Sequence, residues 1–273
     1  MPFLATTDKT ELFYNDWGTG TPIVLIHGWP VTSAMWEYQA APLVEAGFRV
    51  IAYDRRGFGK SSQPYAGYDY DTLADDLSAV LEHLDLDGAV LVGFSMGGGE
   101  VARYMSRHAG KRVAKAALVA AVTPYLLKTA DNPDGVDASV FEGILDGLRE
   151  DRPHFLAGFA KMFFNAGLLN FDVSAEILQQ FVAQALEASP KATLDCIAAF
   201  GRTDFRDDLT KVDVPTLVIH GDSDAIVPFE VSGRRSAEAI AGSTLVVVEG
   251  APHGFNVSHA ERFNDELIRF LQG

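Results

Sequence analysis

The sequence predicts an α/β protein in which a mostly parallel central sheet carries helices on both faces. Three observations predict it. Short Val/Ile/Leu-rich runs recur at residues 23–26, 49–53, 89–94, 113–119, 216–219 and 244–248, each bounded by turn residues. The runs are continuously apolar rather than alternating, as in strands buried on both faces. Helical periodicity fills the intervals between them, and alternation of strand and helix implies crossovers between parallel strands.

Taken in order, residues 3–6 and 11–17 read as a hairpin at one sheet edge, and helices are expected at 34–45, 72–84, 97–108, 233–240 and 258–271. Within 72–84, Leu73, Leu77, Val80, Leu81 and Leu84 share one face, and Asp75, Asp76 and Glu82 are expected on the exposed opposite face. The rhythm breaks from 123 to 190, where no β-rich run occurs. A turn-rich stretch, Asp131-Asn132-Pro133-Asp134-Gly135, precedes a helix with Phe155, Phe159 and Phe163 at i, i+4 and i+8. The expected division is therefore a core domain at 1–122 and 191–273 and a helical cap insertion at 123–190. Ligands of open α/β sheets bind outside the carboxyl ends of the strands, where such an insertion would sit.

The 273 residues include 22 Lys+Arg and 37 Asp+Glu, a net charge of −15. Phosphate binding needs local positive charge, so nucleic acid and anionic membrane surfaces are not expected partners. Lys and Arg are scattered, with no basic run longer than a pair such as Arg55-Arg56 or Arg234-Arg235. The surplus acid is expected on exposed helix faces, where it would disfavour anionic substrates. A single cysteine, Cys196, allows no intramolecular disulfide and no four-cysteine zinc site, and fits a buried apolar position in a reducing compartment. No apolar run reaches the ~18 residues of a membrane span, and Met1-Pro2-Phe3 does not begin a secretory leader, so a cytoplasmic protein is expected.

One motif carries chemistry. Gly93-Phe94-Ser95-Met96-Gly97 follows a buried-strand pattern and precedes a helical one, the context in which a G-x-S-x-G serine projects from a strained strand-to-helix turn. A serine hydroxyl needs a neighbouring base, and the base an orienting carboxylate; in this arrangement acid and then histidine follow the serine in sequence. Two late strands run into His220-Gly221-Asp222-Ser223-Asp224 and Glu249-Gly250-Ala251-Pro252-His253-Gly254. His253 is the expected base. His220 precedes the acid and still belongs to its strand, whereas His83 and His108 lie on helices and are expected to be exposed. Chemistry alone does not separate Asp222 from Asp224; Asp224 is further along the loop and Asp222 suits the turn. Two backbone N–H donors for an oxyanion are expected from Met96 and from Trp29, because Pro30 has no N–H. His27 and the segment Asp54-Arg55-Arg56-Gly57-Phe58-Gly59-Lys60-Ser61 are expected to brace the sheet edge, since the glycine spacing does not fit a phosphate loop.

With these residues in place the chain resembles the α/β-hydrolases, and among them the cofactor-free haloperoxidases and aryl esterases. The resemblance runs through His27-Gly28-Trp29-Pro30, Tyr53-Asp54-Arg55-Arg56-Gly57-Phe58-Gly59, Gly93-Phe94-Ser95-Met96-Gly97, Gly221-Asp222-Ser223-Asp224 and His253-Gly254. It implies a Ser95–Asp224–His253 triad, which selects Asp224 as the acid, with oxyanion donors at Trp29 and Met96 and a helical cap above. It implies hydrolysis of small aryl or alkyl esters without metal, haem or other cofactor, and often a trimer or dimer of trimers. The Trp29-Pro30 pair is associated in this group with perhydrolysis, in which hydrogen peroxide attacks the acyl-enzyme in place of water. Position and resemblance together place Trp29, Phe94, Val122, Phe159, Phe163 and Ile226 around the substrate. A carbon–carbon bond hydrolase or lactamase would use the same triad, and a ligand receptor without turnover is the alternative of a different class.

Overall fold

The computed structural model describes residues 2–167 and 172–273. Its strands are β1 (Phe3–Ala5), β2 (Glu11–Trp17), β3 (Pro22–Ile26), β4 (Arg49–Tyr53), β5 (Ala89–Phe94), β6 (Val113–Val119), β7 (Thr216–Gly221) and β8 (Thr244–Val248). They form one sheet in the order β1-β2-β4-β3-β5-β6-β7-β8, antiparallel at β1-β2 and β2-β4 and parallel everywhere else. The chain winds from β3 outward to β4 and then returns to β5 on the other side of β3. That reversal opens a crevice at the carboxyl ends of β3 and β5, the place where such sheets bind ligands.

Every residue of β5 is buried. Successive strand side chains point to opposite faces, so both faces of the sheet are covered there. The covering helices form two packed groups. Helix α1 (Glu37–Glu45) packs on α9 (Phe255–Ser258) and α10 (Ala260–Gln272), while α2 (Tyr70–His83), α3 (Met96–Arg107), α7 (Arg206–Leu209) and α8 (Gly233–Ala239) pack in series. The remaining helices, α4 (Ala138–Phe163), α5 (Ala175–Glu187) and α6 (Pro190–Arg202), lie between β6 and β7 in the chain. The expected boundary at 190/191 falls at the start of α6, where Ser189 caps the Ala192 N–H. Helix α4 is two helices end to end. Asp151 leaves helical geometry (φ −151°, ψ 86°), and its carboxylate accepts from the His154 N–H, capping a second helix whose first turn holds Pro153.

Two expectations need correction. The 244–248 run is apolar, but β8 is an edge strand, and Leu245 and Val247 are 37% and 41% exposed. An apolar run therefore does not distinguish a central strand from an edge strand; position in the sheet decides. Asp76 is not on an exposed face. It stands three residues from Leu73 and four from Val80, at the flank of the buried stripe, and receives Arg56 in a two-bonded fork of 2.6 Å each with both side chains buried. Breaking such a pair strands a buried charge, and Asp8 (2.9 Å from Arg56) is half in solvent and replaces little of it. Asp76→Ala is expected to cost about 3–5 kcal/mol, read as a lowered midpoint in urea unfolding. An unchanged midpoint would refute the buried pairing.

Candidate active site

Ser95 joins the carboxyl end of β5 to the first turn of α3 with φ 53° and ψ −116°, a left-handed geometry that costs a non-glycine residue strain. The elbow is held on several sides. The Ser95 N–H donates to the Val119 carbonyl (2.8 Å), and the Ser95 carbonyl accepts from Gly98 (2.9 Å) and Val122 (3.2 Å). Two glycines permit the close approach. A Cβ on Gly93 would lie 2.4 Å from the Gly97 carbonyl oxygen, and one on Gly97 would lie 2.5 Å from the Ile26 carbonyl oxygen. The Tyr70 hydroxyl donates to the Met96 carbonyl (3.0 Å) and so pins the first helical turn. The Ser95 hydroxyl itself has no hydrogen-bond partner among the described residues.

The loops after β7 and β8 bring the other two residues together. His253 Nδ1 is 2.6 Å from Asp224 Oδ2, and both side chains are buried. Asp224 Oδ1 accepts from the backbone N–H groups of Ile226 (2.9 Å) and Val227 (2.8 Å), while Oδ2 also meets His220 Nε2 at 3.1 Å. Burial alone would raise the Asp224 carboxyl, but the charge of His253 and the hydrogen bonds from His220 and His253 outweigh it and hold the group well below the usual carboxylate range. Asp222 is exposed and does other work: its Oδ1 accepts from the Gly250 N–H (2.7 Å), tying the two loops to each other. His253 is packed between the rings of Phe163 (4.8 Å) and Phe94 (5.0 Å), both edge-on. Ser95 and His253 border the same cavity without a hydrogen bond between them.

The loop after β3 runs alongside the elbow. The N–H groups of Trp29 and Met96 donate to no acceptor among the described residues, and the Trp29 carbonyl accepts from none. A buried network fixes this loop to α3. His27 Nε2 accepts from the Arg55 N–H (2.9 Å), and its Nδ1 donates to the Gly28 carbonyl (2.8 Å). The Arg55 guanidinium donates to the His27 carbonyl (2.7 Å) and to Glu100 (2.8 Å), and Tyr53 also reaches Glu100. Burial, together with the nearby Arg55 charge, holds His27 well below the ordinary imidazole range, and both ring nitrogens are committed to backbone groups, so it is a brace rather than a base. Asp54 takes part in the same way, accepting from Ser33 (2.8 Å) and Lys60 (2.9 Å).

The cavity in front of Ser95, together with its solvent-open mouth, spans about 510 Å³ free of protein atoms. Trp29, Val122, Phe159 and Ile226 line it. Phe94 and Phe163 do not; their rings pack edge-on against the His253 ring. Val136, Val140, Phe141, Ile144 and Phe200 line the pocket and escape the sequence reading. Val140, Phe141 and Ile144 fall at i, i+1 and i+4, the spacing of one helical face, so periodicity held a signal for them. Of the remaining histidines, His83 and His154 are exposed, whereas His108 is half-buried against Asp75 (2.9 Å) rather than exposed. Cys196 is fully buried, and burial pushes its thiol up to about 12. Among the described residues no cluster of three or more His, Cys, Asp or Glu could hold a metal ion, and no helix is long and apolar enough to cross a membrane.

Sheet order, elbow and late loops together define an α/β-hydrolase. The chain belongs to the α/β-hydrolase fold family, whose model matches residues 21–260, and within it to the non-haem haloperoxidase group. It is 44% identical, over 99% of both chains, to the non-heme chloroperoxidase CPO-A1 of Kitasatospora aureofaciens. It is 41% identical, over the whole of both chains, to a bifunctional esterase/perhydrolase of Acinetobacter calcoaceticus. The crystal structure of a bromoperoxidase from Bacillus anthracis is similar with a TM-score of 0.95 and 53% identity, covering 97% of this chain and 96% of that one.

Proposed function

We propose that the protein is a serine hydrolase of small neutral aryl or alkyl esters that forms an acyl-enzyme and passes the acyl group to water or to hydrogen peroxide. The observation that carries this reading is Ser95, strained at the elbow and facing an apolar cavity that His253 also borders, with Asp224 2.6 Å behind His253. Asp224 keeps the proton on His253 Nδ1, which leaves Nε2 to take the Ser95 proton. As Oγ attacks the ester carbonyl, the oxyanion forms between the free N–H groups of Trp29 and Met96, at the amino end of α3. His253 then protonates the leaving alkoxide. Water or peroxide, deprotonated by His253, displaces Ser95 and yields a carboxylic acid or a peracid. The peracid oxidises halide to hypohalous acid in solution and returns to the carboxylic acid. The unengaged Trp29 carbonyl is an acceptor suited to peroxide, which unlike an ester carries O–H donors.

Two measurements test this. In acetate buffer with peroxide and bromide, the wild type is expected to brominate an indicator dye and Ser95→Ala is not; equal bromination by the two would remove the perhydrolase half of the reading. Among the described residues the lining of the cavity carries no Asp, Glu, Lys or Arg, and an unpaired carboxylate is costly to bury. A neutral diester is therefore expected to exceed its anionic half-ester at least about tenfold in kcat/KM, and equal rates would contradict the assigned pocket. The helices between β6 and β7 act in this reading as the cap whose rings close the site, 123–190 forming the insertion. Family resemblance adds a cytoplasmic homo-oligomer, a trimer or dimer of trimers, which light scattering checks.

A further inference from the structure

We propose that His220 is a positioning residue of the hydrolytic site, a second histidine that holds the Asp224 carboxylate in the plane His253 requires. The inference rests on the triad reading above and extends it to a residue outside the triad. His220 is the next-to-last residue of β7, paired in register with Val247 of β8, and is fully buried with its ring tilted against Phe229 (5.8 Å). Its Nε2 lies 2.8 Å from the Val227 carbonyl and 3.1 Å from Asp224 Oδ2. Both neighbours are acceptors, so Nε2 carries the proton and shares it between them. Nδ1 has no partner among the described residues, and a Cβ on Gly233 would come within 2.6 Å of it. The ring therefore has one tautomer and little room to turn.

The consequence lies in the Asp224 carboxylate, which offers about four acceptor positions. Backbone N–H groups of Ile226 and Val227 fill those on Oδ1, and His253 and His220 fill those on Oδ2. Without His220, Oδ2 is held by His253 alone, the group it is meant to orient. The same imidazole N–H also fastens the Val227 carbonyl, and Val227 lines the substrate cavity. One side chain thus anchors the acid, and the loop bearing it, to the end of a sheet strand. Rigid support of this kind acts on the transition state more than on substrate binding, because misplacement of a catalytic group by about 1 Å can cost on the order of 100-fold in rate.

The test compares His220→Leu with His220→Gln, whose amide N–H reaches about as far as the imidazole Nε2. With an aryl acetate, His220→Leu is expected to lower kcat about 10- to 100-fold with KM within about twofold of wild type. His220→Gln is expected to recover most of that loss. The low-field proton resonance of the short His253–Asp224 hydrogen bond is expected to shift or broaden in the Leu variant and to return with Gln. Should the Leu variant not fold, His220→Met provides the apolar comparison. Wild-type kcat in a folded apolar variant, or a Gln variant no faster than the apolar one at equal thermal stability, would overturn the proposal. Ser95→Ala assayed in parallel separates the two levels: activity there sinks the triad reading itself, whereas an inactive Ser95→Ala beside a fully active His220→Leu sinks only the role of His220.

Discussion

Ser95→Ala is expected to lower kcat for an aryl acetate by about four to six orders of magnitude and to abolish labelling by a fluorophosphonate probe. The size follows from the absence of a substitute. The hydroxyl stands at the one turn that projects from β5 into the cavity, and no other serine, threonine or cysteine lines that cavity among the described residues. Removing the nucleophile disables His253 and Asp224 with it, since they act on nothing else, and the residual rate is what the oxyanion donors and binding provide. Stability is expected to change little. Alanine meets the same strain at φ 53°, and the Ser95 hydroxyl makes no hydrogen bond with the described residues that would be lost. Wild-type hydrolysis by a pure, folded Ser95→Ala protein would remove the serine-hydrolase reading.

Asp224→Asn is expected to lower kcat about 10⁴-fold, while Asp222→Asn leaves it within about twofold. The geometry dictates which way the amide turns. Oδ1 accepts from two fixed backbone N–H groups, so the amide oxygen must take that place and the NH₂ must face His253 and His220. His253 Nδ1 then becomes an acceptor, its proton moves to Nε2, and Nε2 no longer takes a proton from Ser95. His220 Nε2–H meets a donor as well. Because Asp224 is held well below the ordinary carboxylate range by partners it has only when folded, its ionised form stabilises the fold. That contribution is fully present above the unfolded carboxylate pKa, about 3.9, and is lost as pH falls through the lower folded value. The thermal stability gap between wild type and Asp224→Asn is therefore expected to be widest near neutral pH and to shrink below about pH 4. Equal activity losses at 222 and 224 would contradict the assignment of the acid.

Much of this site was legible in one dimension because its parts are local. A serine elbow needs glycine within two residues on either side, and those glycines are in the sequence whether or not the fold is known. The acid and the base each end an apolar run, and a loop at the carboxyl end of a parallel strand lies on the same edge as every other such loop. Those two facts bring Ser95, Asp224 and His253 to one side of the sheet. They do not choose between Asp222 and Asp224, two residues apart in one loop. The choice appears once Ile226 and Val227 are seen donating to one carboxylate and Gly250 to the other.

The class of fold, the order of strand and helix, the elbow at Ser95 and the two loops that face it are written in the chain, since each depends on periodicity, on turn chemistry or on contacts a few residues apart. Packing between distant segments buries Asp76 with Arg56, leaves β8 at the edge, sets Phe94 and Phe163 against His253 instead of in the pocket lining, and brings His220 to the acid it precedes. Each of these depends on what a side chain meets across a distance the chain does not encode locally. Burial and pairing are properties of the neighbour as much as of the residue.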